Sequence, residues 1–241
     1  MSFMQRALGM VYPDQCVLCS EYVDGQGALC GSCWREMPFQ TGHSCDLCGT
    51  GLIGHTDGVI DHCDDCIAMP RPWNKGRAAL SYRDAGRRVV LGLKHGDRTD
   101  LVPIAGGWLA RAGTDILTDD TLLVPVPLHW SRLLRRRYNQ AAELAKAIAK
   151  LYSLDVAPDA LIRTSRTKPQ DGMGVDARFK NVENVISSAT TPQSPLKGRK
   201  VCLIDDVMTS GATLSASAHA CRAAGATQIS VLVLARVDKT P

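Results

Sequence analysis

Beyond residue 70 the apolar positions fall into two alternating rhythms. Ala78–Tyr82 reads as a short strand, and Asp84–Lys94 and Leu101–Ala112 read as helices. Thr121–Val126 is an apolar, β-branched run closed by Pro125 and Pro127, the pattern of a buried strand that ends in a loop. The strongest helical pattern is Asn139–Tyr152, where Ala141, Leu144, Ala145, Ile148 and Leu151 recur at three- and four-residue steps. Gly172–Asn181 is rich in polar residues and reads as a loop, with a strand expected over Glu183–Ser187. Lys200–Ile204 then predicts a buried strand, Ala212–Ala224 a helix and Gln228–Arg236 a final strand. Strands alternating with helices predict an α/β domain over residues 75–241, with a mainly parallel sheet covered by helices on both faces.

Before residue 70 no rhythm persists. Eight of the ten cysteines lie there among many Gly and Asp. Met69-Pro70-Arg71-Pro72-Trp73 is the natural boundary, because prolines two apart resist both helix and ladder. Residues 1–70 are therefore expected to form a small separate module. The 241 residues suit one large domain and one small one. With 45% apolar residues but only 5% aromatics, the core must rest on Leu, Val, Ile and Ala. Met1–Pro13 carries Arg6 among scattered apolar residues and has no continuous apolar run, so it reads as neither signal peptide nor anchor. The chain has no 18-residue apolar stretch, and no membrane partner is expected. The expected compartment is the reducing cytoplasm, where disulfides are disfavoured.

The cysteines need another role. They form four C-x-x-C pairs: Cys16 and Cys19, Cys30 and Cys33, Cys45 and Cys48, Cys63 and Cys66. Such a pair on a tight turn aims both sulfurs at one point about 2.3 Å away, and two pairs complete a tetrahedral site. Four pairs predict two structural Zn²⁺ ions, with iron–sulfur clusters as the rival. Loops of 10 and 14 residues separate the pairs within each half and suit sequential sites, whereas interleaved sites would cross over. His43, His55 and His62 lie nearby but are not needed as ligands. Cys202 and Cys221 sit within apolar segments and read as core. The formal net charge is +4, but two zinc ions held by eight thiolates would bring it to zero. Global charge gives no argument for nucleic acid.

A second constellation runs from Val201 to Thr213, where an apolar strand meets Asp205 and Asp206 and then Thr209, Ser210, Gly211, Ala212 and Thr213 open a helix. Unpaired amides and the dipole of a helix N-terminus favour a phosphate, hydroxyls add donors, and Gly211 permits a tight turn. A Walker loop is excluded by the missing Gly-Lys-Ser/Thr. The cationic Lys94-His95-Gly96-Asp97-Arg98, the strand end Val124-Pro125-Val126-Pro127-Leu128-His129, and the run Arg132 to Gln140 containing Arg135, Arg136 and Arg137 suit an anionic ligand as well. The arginine run also suits a solvated face or single-stranded DNA. Arg163 to Gln170, with Lys168, reads as a cationic lid.

The segment Ile204-Asp205-Asp206-Val207-Met208-Thr209-Ser210-Gly211-Ala212-Thr213 resembles the phosphoribosyl pyrophosphate signature of type I phosphoribosyltransferases. Together with the paired cysteines, Val-Pro-Val-Pro-Leu-His, Arg-Tyr-Asn-Gln and Lys-Pro-Gln, the whole chain resembles the ComF family. One departure stands out: many members have Arg-Gly-Phe-Asn-Gln where this chain has Arg136-Arg137-Tyr138-Asn139-Gln140. The resemblance implies a type I phosphoribosyltransferase fold behind a double zinc ribbon. It implies that phosphoribosyl pyrophosphate binds with Mg²⁺, Asp205 and Asp206 on the ribose, residues 209–213 on the 5-phosphate, and Lys94 and Arg136 on the pyrophosphate. Asp205, Asp206 and Lys168 would then serve catalysis, and the biological setting would be DNA uptake. The alternative is a non-catalytic sensor of phosphoribosyl pyrophosphate that acts through single-stranded DNA or a protein partner.

Overall fold

The computed structural model describes residues 13–25, 27–54, 58, 60–95, 98–165, 174–182, 184–189 and 194–238. Its centre is a five-stranded sheet of β1 (Lys75–Ser81), β2 (Thr121–Pro125), β3 (Asp155–Val156), β6 (Lys200–Met208) and β7 (Gln228–Arg236). The spatial order is β1-β7-β6-β2-β3 and every neighbouring pair is parallel. A separate antiparallel pair joins β4 (Leu161–Arg163) to β5 (Ile186–Ser188).

The period-2 geometry of a strand sends successive side chains to opposite faces, and β6 and β7 show it directly. Cys202, Ile204, Leu232 and Leu234 enter one core with α3 (Asp84–His95), α4 (Val102–Ala112) and α6 (Gln140–Tyr152). Val201, Leu203, Val231 and Val233 enter the other, against α8 (Ala212–Ala223), the β4–β5 pair and Trp73. Both faces of the central strands are thus covered, which explains their nearly unbroken apolar runs. α6 forms where its apolar stripe was strongest, and the Asn139 side chain caps it by accepting the Ala141 N–H at 3.1 Å.

The cysteine-rich segment straddles the β1 edge. Around Cys16 and Cys30 it packs on the α3–α4 side, where Arg98 Nη2 donates to the Val17 carbonyl at 2.7 Å. A chain of rings runs from Trp34 in α1 (Gly31–Glu36) through Phe39 to Trp108, with centroid distances of 4.9 and 5.4 Å. Around Cys45, Cys48 and Cys66 in α2 (Asp64–Ala68), it packs on the α8 side. Between the two halves, Phe39 bridges antiparallel to Leu80, with Gln40 N–H on the Ala79 carbonyl at 2.9 Å and Ser81 N–H on Pro38 at 2.8 Å.

Three expectations need correction. The loop expected over Gly172–Asn181 contains α7 (Val175–Val182), which buries Val182. Val175, Phe179 and Val182 sit at helical spacing there, and the polar residues between them hide it. The segment before Asn139 also carries an unforeseen helix, α5 (Trp130–Arg136). β6 runs on past Ile204 to Met208, because β7 continues to pair with it through Asp205, Val207 and Met208.

Candidate functional site

From β2 the chain turns outward to β3, and from β6 it turns the opposite way to β7, so a topological switch point lies between β2 and β6. Open α/β sheets leave a crevice at such a point, beyond the carboxyl ends of the strands. Asp205 and Asp206 sit at this end of β6, and the Val126 N–H of the β2 loop donates to the Ile204 carbonyl beside them at 2.9 Å. Asp206 follows Ile204 to the α3 side, where Lys94 Nζ meets its carboxylate at 3.2 Å. Asp205 Oδ1 accepts the Asp206 N–H at 2.8 Å. Burial, and then the neighbouring Asp206 charge, push the Asp205 carboxyl up to about 7, against the opposing pull of Lys94 and Arg163.

The Tyr-Asn-Gln triplet explains how Lys94 is placed. Tyr138 Oη and the buried Gln140 Nε2 both donate to the Leu93 carbonyl, at 2.6 and 3.1 Å. Asn139 Nδ2 donates to Val126 at 3.0 Å while its oxygen caps α6. Three adjacent residues therefore pin the end of α3 to the loop after β2. Arg137 precedes them with φ 66°, a left-handed conformation that glycine takes freely. This is the position where many ComF members have glycine. His129 is buried and caps α5, its Nδ1 accepting the Ser131 N–H at 3.3 Å.

After Asp206 the chain turns through Thr209, Ser210 and Gly211 into α8, whose first residues are Ala212 and Thr213. Gly211 has φ 82°, and a Cβ there would lie 2.8 Å from Met208 Cε and 2.9 Å from Arg71 Nη1. The carbonyls of Met208 and Thr209 accept from Arg236 Nη1 at 3.2 and 2.7 Å, and that of Ser210 from Arg71 Nη1 at 2.7 Å. The structure thus brings together Asp205, Asp206, Lys94 and residues 209–213. Lys168 lies outside the described residues, as does the side chain of Arg136. Arg71, Trp73 and Arg236 escaped the sequence reading. Their signal was an arginine ending an otherwise apolar strand, and an Arg-Pro-Trp run following the last cysteine pair.

The cysteines gather as Cys16, Cys19, Cys30 and Cys33, and as Cys45, Cys48, Cys63 and Cys66, the sulfurs within each group lying within 4.8 Å of one another. The grouping is sequential. A tetrahedron with Zn–S bonds of about 2.3 Å has edges of about 3.8 Å. The Cys19–Cys30 and Cys48–Cys63 sulfurs stand 3.5 and 3.6 Å apart, so the donor sets fit structural Zn²⁺. His43 is occupied by Asp61 at 2.7 Å. Cys202 and Cys221 are core residues, and burial pushes both thiols up to about 12.

A pair of cysteine clusters fitted to zinc ahead of a parallel α/β sheet, with an acidic strand end and a hydroxyl-rich turn at its switch point, is the arrangement of a double zinc ribbon joined to a type I phosphoribosyltransferase fold. Residues 7–67 match the family model described as a double zinc ribbon domain. The chain is 26% identical over 219 residues to competence protein F of Haemophilus influenzae, covering 88% of this chain and 91% of that protein. It is also 26% identical to the DNA utilization protein YhgH of Escherichia coli K12, over 86% of this chain and 97% of that protein. Competence protein ComFC of Bacillus subtilis is again 26% identical, over 89% of this chain and 81% of that protein. Along most of its length the chain is thus similar to competence proteins of the ComF type, and its cysteine-rich segment matches the double zinc ribbon model. No helix among the described residues is long and apolar enough to cross a membrane.

Proposed function

We propose that the protein binds phosphoribosyl pyrophosphate with Mg²⁺ at the carboxyl end of β6, as a phosphoribosyltransferase-like protein that serves DNA uptake in the cytoplasm. The observation that carries the reading is the run from Asp205 and Asp206 into the left-handed turn at Gly211, set at the switch point of the sheet. Such an arrangement offers carboxylate acceptors to sugar hydroxyls, and hydroxyl donors with a helix N-terminus to a phosphate. Lys94 supplies positive charge at the acids and Arg136 would supply it from α5, where a pyrophosphate leaving group needs stabilisation. The two acids are oxygen donors of the kind Mg²⁺ shares with phosphates, and the ion would offset charge on the leaving group. Lys168, which follows β4 in the chain, would join the two acids in catalysis. Residues 1–70 and 75–241 serve in this reading as metal module and ligand-binding domain. The link to DNA uptake follows the names of the competence relatives.

Thermal stability with different ligands tests the reading. Phosphoribosyl pyrophosphate with Mg²⁺ at about 100 times its Kd should add roughly 2.7 kcal/mol to the folded state. Ribose 5-phosphate should stabilise less, and Asp205→Asn and Asp206→Asn should weaken the effect. If sulfate at equal ionic strength shifts melting as much, the turn is a generic anion hole and the reading fails. Pyrophosphate release across a panel of nucleobases and nucleic acids then shows whether any transfer is catalysed.

A further inference from the structure

Two arginines reach from the second cysteine site to the turn that ends at Gly211. Arg71 lies between α2 and β1, with Nε 3.5 Å from the Cys66 sulfur and Nη1 2.7 Å from the Ser210 carbonyl. Its guanidinium stands 5.7 Å from the centre of the Trp73 ring, and Trp73 Nε1 donates at 2.7 Å to Leu47, between Cys45 and Cys48. Arg236 ends β7 and is only 3% exposed. It donates to the Met208 and Thr209 carbonyls and lies 3.8 Å from Asp65, between Cys63 and Cys66. Gly211 itself sits on Arg71 and Trp73, so closely that a Cβ would lie 3.3 Å from the indole.

We propose that the second cysteine site sets the shape of the Met208–Gly211 turn, with Arg71 and Arg236 as positioning residues that carry its state to the turn. A zinc ion held by four thiolates leaves a net charge of about −2, which the guanidinium groups of the buried Arg236 and the half-buried Arg71 offset. A planar guanidinium held at the sulfur by one edge has the direction of its other hydrogens fixed. For Arg71 those hydrogens meet the Ser210 carbonyl. Three successive carbonyls are thereby tied down on one side, and the chain is held in the left-handed turn that opens α8. Loss of the second metal frees the guanidinium groups and loosens the turn. The first site packs on the opposite face of the sheet, against Arg98, and among the described residues has no such route.

The inference rests on the reading above only for what the turn binds. Hydrogen exchange in the zinc-loaded full chain tests it directly. Arg71→Gln should keep two zinc ions by elemental analysis while amides of residues 208–213 exchange about tenfold faster, the effect of losing one hydrogen bond to a charged group. Arg71→Lys, which keeps the charge and one donor, should recover part of the protection. Cys66→Ser should hold one zinc and show the same local acceleration, and Cys33→Ser should hold one zinc and show none. Normal exchange at residues 208–213 in Arg71→Gln, or equal acceleration by Cys33→Ser, would overturn the proposal. Arg71→Gln stands as the deciding variant if Cys66→Ser does not fold. Calorimetry should give about tenfold weaker phosphoribosyl pyrophosphate binding in Arg71→Gln. If the unaltered protein does not bind that ligand at all, the ligand reading falls while the exchange pattern still decides the coupling.

Discussion

Lys94 and Asp206 stand 3.2 Å apart although 112 positions separate them, and their meeting joins the last turn of α3 to the carboxyl end of β6. The pair is largely buried, with the Lys94 side chain 22% exposed and that of Asp206 12%. Removing one partner leaves the other charge poorly solvated, which costs more than the pair contributes. Lys94→Met is therefore expected to lower unfolding stability by about 1–2 kcal/mol, less than for a fully buried pair. Asp206→Asn in the same chain should recover most of the loss. Urea unfolding of the two single variants and the double variant measures this, and strictly additive losses would show that the two residues do not act as a pair.

Asp205 predicts a pH dependence of definite sign. Burial and the Asp206 charge hold its folded-state carboxyl at about 7, above the ordinary value of 3.8. Between those values the native chain binds more protons than the unfolded one, so stability falls as pH rises through the window. Asp205→Asn removes this contribution. The variant should melt above the unaltered protein at pH 8, by about 2–4 °C for each kcal/mol recovered, and the difference should narrow toward pH 6. A difference in melting temperature that stays constant between pH 6 and 8 would rule the account out.

The two metal sites should release their ions in order. Cys19 of the first site is exposed, whereas Cys45, Cys48 and Cys66 of the second are 0%, 1% and 3% exposed. A chelator with a colorimetric zinc indicator should reveal two phases, one ion each. Cys33→Ser should remove the faster phase. A single phase, or loss of the slower one in that variant, would reverse the assignment.

An element is most legible in the sequence where one physical pattern acts alone. The period-3.6 stripe from Ala141 to Ile148 marks α6, although Leu151 at its end is exposed, and the paired cysteines mark both clusters because four thiolates around one metal need that spacing. Asp205, Asp206 and the turn after them stand out in the sequence because two acids, hydroxyls and a glycine follow an apolar strand within a few positions, and the structure sets them where β6 gives way to α8. The supports were harder to see. Tyr138 and Gln140 act on Leu93, more than 40 positions earlier, and no local pattern encodes a bond of that span. Arg236 looks like the polar end of a strand and is instead buried against the loop it holds. α5 was hidden by its arginines, which mask a short helix capped by His129. Arg137, with φ 66°, keeps a backbone shape usually assigned to glycine, so residue type alone misleads there.

The strip Pro38–Gln40 lies along β1, and β1 is bonded on its other side to β7. A ribosome makes the metal knuckles first and β7 much later. The ribbons can load their ions early, but the edge that they clasp is complete only after residue 236 has been made. Until then β1 lacks its long-range partner, and an unpaired strand is a template for other chains. The early knuckles thus wait as a ready-made shield, closing one side of β1 while the nascent chain is still without the other. Clones that begin after residue 70 would make the same sheet without that shield, and recovery of soluble protein should suffer for it.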